Sequence, residues 1–282
     1  PGCIDIHTHG GGGSDFMDAT DADFAQAMRF HCSNGTTSLV ATTVSAPDDQ
    51  TSAMLEVVRR HKNKVLAGSR LLGANLEGPF LSRTNCGAHL PEYLRIPHDE
   101  QQWLYAAYAD VALMTTLSPE LSGSIELIRD LAGRGIVVAG GHDDADDDQI
   151  KRAIDAGMSH ITHVFCATSM IAFRQGRRNV GLSMLALLDN RLTVELIADN
   201  NHLPPDLVKL ALRCKGADKA CLVSDCMRAG GMPVDEQTYV LGPRQAKNAQ
   251  KAIVTGDVAS LPEKSRFAGS ITPVGKTVQN LV

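Results

Sequence analysis

Two histidines near the start of the chain have the spacing of metal ligands. His7 and His9 lie two residues apart in an apolar run that predicts a β-strand, so both imidazoles point to the same face. Neutral imidazole is a good ligand for zinc or iron. A solvated pair beside the glycine run Gly10–Gly13 would have the same spacing, and the pair alone does not decide between the two interpretations.

Four more ionisable residues stand at or just beyond the ends of other apolar runs: Glu77, His142, His163 and Asp225. Random placement would put such groups as often at the beginnings of the runs. Together with the two histidines they predict one convergent metal site with a carboxylate, Asp225, to spare. A metal with an open position lowers the pKa of water toward ~7 and polarises a carbonyl, and the spare carboxylate can return a proton to a leaving amine. The predicted chemistry is hydrolysis of an amide or ester.

The elements that must position these residues alternate along the chain. Near-continuous apolar runs, typical of parallel strands covered on both faces, span residues 3–6, 37–44, 71–76, 111–116, 136–139, 160–165, 192–197 and 220–223. Helical spacing occupies 21–32, 49–61, 99–108, 124–132, 146–156, 180–188 and 204–213. The alternation predicts an α/β fold, a (β/α)8 TIM-like barrel whose strand carboxyl ends carry the reactive groups. A doubly wound sheet is disfavoured because no Gly-x-Gly-x-x-Gly follows the first strand.

Composition excludes several classes of protein. The 282 residues are 43% hydrophobic and carry a formal net charge of −5, which argues against disorder and against a nucleic-acid surface. No apolar run approaches the ~20 residues of a membrane helix. The seven scattered cysteines predict a reducing, cytoplasmic compartment. Because the chain opens directly on a strand, we expect it to be the interior of a longer protein.

The pattern changes after Asp225, and we expect three segments. Residues 1–229 would form the hydrolase barrel. Residues 230–265, with short alternating stretches, would form an irregular β segment outside the barrel, which the family resemblance given below assigns to a small accessory β-domain. Residues 266–282 would end in a C-terminal helix of the barrel, preceded by a substrate loop that the same resemblance implies.

Several motifs together resemble one family, the N-acetylglucosamine-6-phosphate deacetylases of the amidohydrolase superfamily. The matching stretches run in order through nearly the whole chain, at 1–10, 75–81, 140–142, 162–165, 222–225 and 268–270, and the Leu-Glu-Gly-Pro-Phe of 76–80 is specific to these deacetylases. The resemblance implies a metal-dependent amidohydrolase barrel that removes acetate from the 2-acetamido group of a sugar 6-phosphate. It also implies a homodimer with a small β-sandwich.

The resemblance further implies roles for individual residues. Glu77, His142 and His163 match the ligands of the principal metal. His7 and His9 match those of a second ion, and Asp225 matches the catalytic carboxylate. The metal would be zinc, with iron as the alternative, and one or two ions would bind. Substrate contacts are implied for Ala88, His89, Cys166, Ala167, Arg174, His202, Phe267, Ala268 and Gly269; His89 could in addition polarise the substrate carbonyl in catalysis.

Particular residues bear on the alternative functions and on the choice of sugar. A cyclic-amide hydrolase of the same superfamily would need a modified lysine at the end of the fourth strand, and 111–116 holds none. A non-catalytic sugar-phosphate-binding protein would not need the spare carboxylate. Cys166 stands where relatives have Asn, and Asn200-Asn201 replaces a Gly-containing turn, so N-acetylgalactosamine 6-phosphate is an alternative substrate. In each reading the partner is a small amino-sugar phosphate, with neither nucleic acid nor membrane.

Overall fold

The chain folds as a barrel of parallel strands that pair in chain order. The computed structural model describes residues 1–97, 103–174, 176–263 and 266–281. The strands are β1 Cys3–Thr8, β2 Thr36–Thr42, β3 Ser69–Glu77, β4 Ala112–Leu117, β5 Val137–Gly140, β6 His160–Ile161, β7 Thr193–Leu196 and β8 Ala220–Leu222. Just beyond β8 the circle closes, because Asp225 donates its backbone N–H to the His7 carbonyl at 2.9 Å. The predicted (β/α)8 barrel is confirmed.

Helices connect successive strands and cover the outside of the barrel. They are α1 Asp21–Ser33, α2 Asp48–His61, α3 Trp103–Ala107, α4 Ser124–Gly133, α5 Asp147–Ala156, α6 Leu182–Leu188, α7 Pro205–Lys215 and α8 Val274–Gln279. Side chains cap two of them. Thr20 accepts from the third residue of α1, and Asp146 forms a capping box with Gln149 at α5. Acidic residues 146–148 therefore serve the helix start, as their position predicts.

One apolar core lies between the strands and the helices. The inward faces of the helices bury residues three and four apart, such as Phe24, Ala27 and Met28 on α1, against strand residues that include Leu39 and Leu71. These apolar residues are almost fully removed from water. The barrel interior above this layer is polar, because the strand ends carry the ionisable residues described below.

Two elements differ from their predicted lengths. The sixth strand stops at Ile161 instead of residue 165, because His163 adopts a φ of 27° that no extended strand allows. The helix predicted at 99–108 is observed at Trp103–Ala107, and its predicted beginning falls outside the described residues. The C-terminal helix expected within residues 266–282 spans Val274–Gln279.

A separate antiparallel sheet follows the barrel strands. It contains β9 Asp235–Leu241, β10 Gln250–Thr255 and β11 Val258–Ser260. Arg228 ties it to the start of the chain, donating at 2.9 Å to Asp18 and also to the carbonyls of Val240 and Gly242. Two short hairpins complete the described strands, Gly10–Gly11 with Ser14–Asp15 and Ala172–Arg174 with Arg177–Asn179, and Val65–Leu66 pairs at the edge with β3. The segment boundaries at 229 and 265 stay predictions.

Among the described residues, none of the helices combines the length and the apolar character that crossing a bilayer requires.

Candidate active site

The six residues singled out by sequence converge at the carboxyl ends of the strands, around the Glu77 carboxylate. Glu77 Oε1 lies 3.0 Å from His142 Nε2 and 3.1 Å from His163 Nε2. Glu77 Oε2 lies 3.2 Å from His9 Nε2 and 3.5 Å from His7 Nε2. Asp225 Oδ1 completes the group, 3.1 Å from His9 Nε2. All six residues are buried.

The hydrogen bonds on the far side of the rings fix which nitrogen carries the proton. His142 Nδ1 lies 2.9 Å from the Asn85 carbonyl, and His163 Nδ1 lies 3.0 Å from the Cys166 carbonyl. A carbonyl only accepts, so each Nδ1 must carry a hydrogen, and in the neutral ring each Nε2 presents a lone pair. In these rings the nitrogen that faces Glu77 is therefore the one a metal needs.

His7 has the same orientation through a different partner. Its Nδ1 lies 2.9 Å from the carboxylate of Glu195, and its Nε2 faces the centre 3.5 Å from Asp225 Oδ1 without a hydrogen-bond partner. A buried nitrogen without a partner is costly, so this one marks a position at which a ligand is expected. His9 Nδ1 is likewise buried and unpartnered.

His89 presents the opposite tautomer. The backbone N–H of Ser45 donates to His89 Nδ1 at 3.1 Å, so that nitrogen accepts and Nε2 carries the hydrogen. His89 Nε2 points into the same cluster, 3.4 Å from Glu77 Oε2. A ring with N–H directed inward is a hydrogen-bond donor, which suits a substrate carbonyl better than a metal.

The electrostatics keep the carboxylates ionised. Burial alone would raise the pKa of Glu77, but the positive charge of His7, and then the neighbouring rings of His142 and His163, hold it well below its usual value. The pKa of Asp225 is lowered against the same effect of burial, chiefly by the bond from His9. Burial lowers the pKa of His142 to about 4, so this ring is neutral. Against the effect of burial, the neighbouring carboxylates raise the pKa of His7 and His163, and that of His9 to about 9, so these rings favour the protonated form without a metal. Divalent metals bind ionised carboxylates and neutral imidazoles, so binding of an ion would release these protons.

The donor set matches a divalent metal ion. Among the described residues, three groups of side chains have ligand atoms within 4.8 Å of one another; they are His7, His9 and Asp225; His7, Glu77 and His163; and Glu77, His89 and His142. The first two groups share His7 and the last two share Glu77, so these residues would hold one or two ions. The unpartnered His7 Nε2 and the inward lone pairs of His142 and His163 are the observations that support this match.

The backbone at three of these residues is unusual. His142, His163 and Asp225 have φ values of 49°, 27° and 47°, on the left-handed side that favours glycine. Each stands within three residues of the end of its strand, where the chain turns away from the barrel. The turn aims the side chain over the strand ends.

A cavity of about 350 Å³ opens in front of the cluster. At its mouth the rings of His202 and Phe267 lie 4.2 Å apart, and His202 Nδ1 is held by Asp199 at 2.7 Å. The sequence-predicted residues that line it are His9, Glu77, Ala88, His89, His142, His163, Cys166, Ala167, His202, Asp225, Phe267 and Gly269.

Three predicted residues do not line this cavity. His7 lies behind it with Nε2 toward the cluster, and Ala268 is buried beside Gly269. Arg174 is paired with the carboxylate and the carbonyl of Asp144.

Sequence reasoning missed two residues of the site. Glu195 lies within the apolar run that predicts the seventh strand, and the run alone gives it no role. A lone carboxylate in such a run is costly to bury, and this cost is the signal that could have identified it. Arg266 lines the cavity, with Nη1 3.4 Å from the Gly87 carbonyl, and no local pattern in the sequence marks it.

Comparison with known proteins identifies the family. The model of the amidohydrolase family matches residues 1–246. The chain belongs to the amidohydrolase family. This agrees with the resemblance seen in the motifs, and with the metal dependence expected of these enzymes. The strand that carries a modified lysine in some relatives is β4, Ala112–Leu117, which contains none.

Several relatives of this amidohydrolase are named as deacetylases of N-acetyl-amino-sugar 6-phosphates. The N-acetylglucosamine-6-phosphate deacetylase of Vibrio furnissii is 36% identical over the whole chain, which spans 67% of that protein. The N-acetylgalactosamine-6-phosphate deacetylase of Escherichia coli O157:H7 is 31% identical over the whole chain and 71% of its own length. The structure of N-acetyl-D-glucosamine-6-phosphate deacetylase from Mycobacterium smegmatis superposes with a TM-score of 0.87 at 35% identity, over 99% of this chain and 70% of that one.

Proposed function

We propose that this chain removes acetate from an N-acetyl-amino-sugar 6-phosphate, with N-acetylglucosamine 6-phosphate as the substrate. The reaction yields glucosamine 6-phosphate and acetate, a step of amino-sugar metabolism. The observation that carries the proposal is a buried Glu77 ringed by imidazoles in their ligand tautomer, with a second carboxylate, Asp225, in the same cavity. The names of the relatives supply the substrate class.

Glu77, His142 and His163 would hold the principal ion, and His7 with His9 a second one. When bound, a divalent metal polarises the amide carbonyl and makes water a nucleophile near neutral pH. Nitrogen and carboxylate donors suit zinc, and we propose zinc as the metal, with iron as the alternative. Metal analysis of the purified protein distinguishes them.

The other residues of the site move protons and stabilise charge. Asp225 accepts a proton from the attacking water while the water oxygen bonds to the acetyl carbon. Asp225 then delivers that proton to the amide nitrogen as the C–N bond breaks. The His89 Nε2–H donates to the carbonyl oxygen, which gains negative charge in the transition state. Cys166 stays a neutral thiol because burial raises its pKa, so it is a neighbour and not a nucleophile.

We expect a cationic side chain in the cavity to hold the phosphate. Among the described lining residues Arg266 is the one with a guanidinium, and the neighbouring Phe267 stacks on His202. The contacts of Arg266 Nη1, 3.4 Å to the Gly87 carbonyl and 3.6 Å to Cys86 Sγ, are long and therefore weak. The guanidinium can exchange them for an anion. Arg174 is retained as a second phosphate contact from the family resemblance.

Replacement of Arg266 tests this assignment. We expect Arg266→Met to raise the KM for N-acetylglucosamine 6-phosphate about tenfold, since a charge-assisted bond is worth ~1.5 kcal/mol, with kcat little changed. Steady-state acetate release measures both constants. The control is Arg213→Met on α7, and the unphosphorylated sugar should show no difference between the variants. An unchanged KM for Arg266→Met would remove it from phosphate recognition.

The activity itself is tested by acetate release from a panel of sugars. The panel contains N-acetylglucosamine 6-phosphate, N-acetylgalactosamine 6-phosphate and both unphosphorylated sugars. The galactosamine ester is the second candidate, because one relative carries that name and Cys166 stands where an Asn is expected. Release from none of them by metal-loaded protein would refute the proposal.

Two finer statements come from the sequence. A homodimer is proposed from the family resemblance, and light scattering measures it. A cytoplasmic location is proposed from the cysteines, all seven of which are free thiols.

A further inference from the structure

A carboxylate lies inside the barrel, behind the metal-binding cluster. Glu195 on β7 is fully buried. Three N–H groups converge on it, because Oε2 lies 2.9 Å from His7 Nδ1 and accepts from the backbone of His163 at 3.1 Å, while Oε1 lies 3.1 Å from His160 Nε2. Burying a charge is costly unless it is fully hydrogen-bonded. A position so expensive calls for a reason beyond packing.

The bond to His7 determines what that ring can do. As an ionised acceptor, Glu195 requires the hydrogen of His7 to be on Nδ1. The opposite nitrogen, Nε2, then faces the cluster with a free lone pair. Without Glu195 the ring has a competing arrangement, since Glu77 and Asp225 each lie 3.5 Å from Nε2 and could accept a hydrogen from it. In that tautomer His7 cannot bind a metal.

The other side of Glu195 is held as firmly. His160 Nδ1 lies 2.6 Å from Thr193 Oγ1, two residues before Glu195 on the same strand. Strand β8 lies between β7 and β1 in the sheet, so Glu195 reaches His7 across the barrel interior and not along a ladder. The imidazole of His160 therefore fixes the carboxylate, and the carboxylate fixes His7.

We propose that Glu195 is a positioning residue for the metal centre, which holds His7 in the tautomer that can bind an ion. The ion held by His7 and His9 then depends on a residue that touches neither ion nor substrate. Carboxylates behind metal-binding histidines commonly act in this way. The inference rests on the metal-binding role proposed above for His7.

Glu195→Gln tests the role of the charge, with Co²⁺ as the probe. The amide keeps the shape but turns one acceptor into a donor, which conflicts with at least one of the converging N–H groups unless His160 changes tautomer. We expect Co²⁺ affinity, measured by competition with a chelator, to fall about 10- to 100-fold. In the metal-free protein, at a pH high enough to neutralise the His7 ring, ¹⁵N NMR should show His7 shifting from the Nδ1–H toward the Nε2–H tautomer.

A matched control separates positioning from simple stability. Asp147→Asn also neutralises a buried carboxylate that accepts backbone N–H groups, those of Val180 and Gly181, away from the cluster. It should lower the melting temperature without changing Co²⁺ affinity. Should Glu195→Gln fail to fold, Glu195→Asp keeps the charge but shortens the reach to His7, and the same loss of affinity is expected.

Two outcomes would overturn the inference, and they are distinguishable. Unchanged Co²⁺ affinity and an unchanged His7 tautomer in a folded Glu195 variant would make the carboxylate merely structural, with the proposed function intact. Failure of the unsubstituted protein to bind Co²⁺ at all would reject the metal centre and the role of Glu195 with it.

Discussion

We expect Asp225→Asn to lose nearly all deacetylation while the protein keeps its metal. In the unsubstituted protein His9 Nε2 lies 3.1 Å from Asp225 Oδ1. The asparagine amide has the shape of the carboxylate and can still contact His9. It cannot take a proton from water or return one to the leaving nitrogen. General acid–base catalysis contributes about 10²–10⁴-fold to a rate, and both proton transfers are lost together. We therefore expect kcat to fall by about three orders of magnitude.

The measurement pairs acetate release with metal analysis of the same sample. The control is Asp206→Asn, an exposed carboxylate in the first turn of α7, which should retain full turnover. Two results would contradict the role of Asp225. Turnover within a few-fold of the parent would show that another group handles the proton, and loss of the metal along with activity would make Asp225 a ligand.

We expect Glu77→Gln to weaken metal binding and so to remove activity by a different route. Glu77 supplies the negative charge at the middle of the cluster, with His9, His142 and His163 within 3.2 Å of its oxygens. Glutamine has no charge, and its NH2 would turn toward one of the inward-facing nitrogens. We expect metal affinity to drop at least about 100-fold, beyond what loss of a supporting residue costs, with turnover falling in proportion to the bound metal.

Metal content after dialysis and circular dichroism together check this result. Glu120→Gln is the matched control because Glu120 is also a largely buried carboxyl, and burial raises its pKa to about 7. Glutamine there resembles the protonated form, so metal content and turnover should stay near the parent values. A Glu77→Gln protein that is folded and retains its metal would show that the ion is held elsewhere.

The sequence was sufficient to predict the barrel and the meeting of the six residues. Near-continuous apolar runs identified the parallel strands, and parallel strands in a barrel end on one face. Glu77 and His142, although 65 residues apart, therefore had to approach each other, and their atoms lie 3.0 Å apart. Distance along the chain was no obstacle because topology alone determines which ends meet.

What sequence could not give is the direction of individual groups. The contact of Glu195 with His7 crosses the barrel interior between strands that are not neighbours, so no local pattern encodes it. The tautomer of His89 depends on the backbone of Ser45, in a loop whose path follows from packing. Family resemblance suggested Arg174 for the phosphate, yet its guanidinium is paired with Asp144. Such details depend on side-chain geometry.

The left-handed backbone of His142, His163 and Asp225 lowers the stability of the folded enzyme. Non-glycine residues in sparsely populated backbone regions cost about 1–3 kcal/mol each, and glycine would adopt the same turns at less cost. Selection for thermal stability alone would thus favour glycine at these positions, which would give a more stable but inactive barrel. Mutations designed to stabilise this enzyme should therefore leave these three residues unchanged.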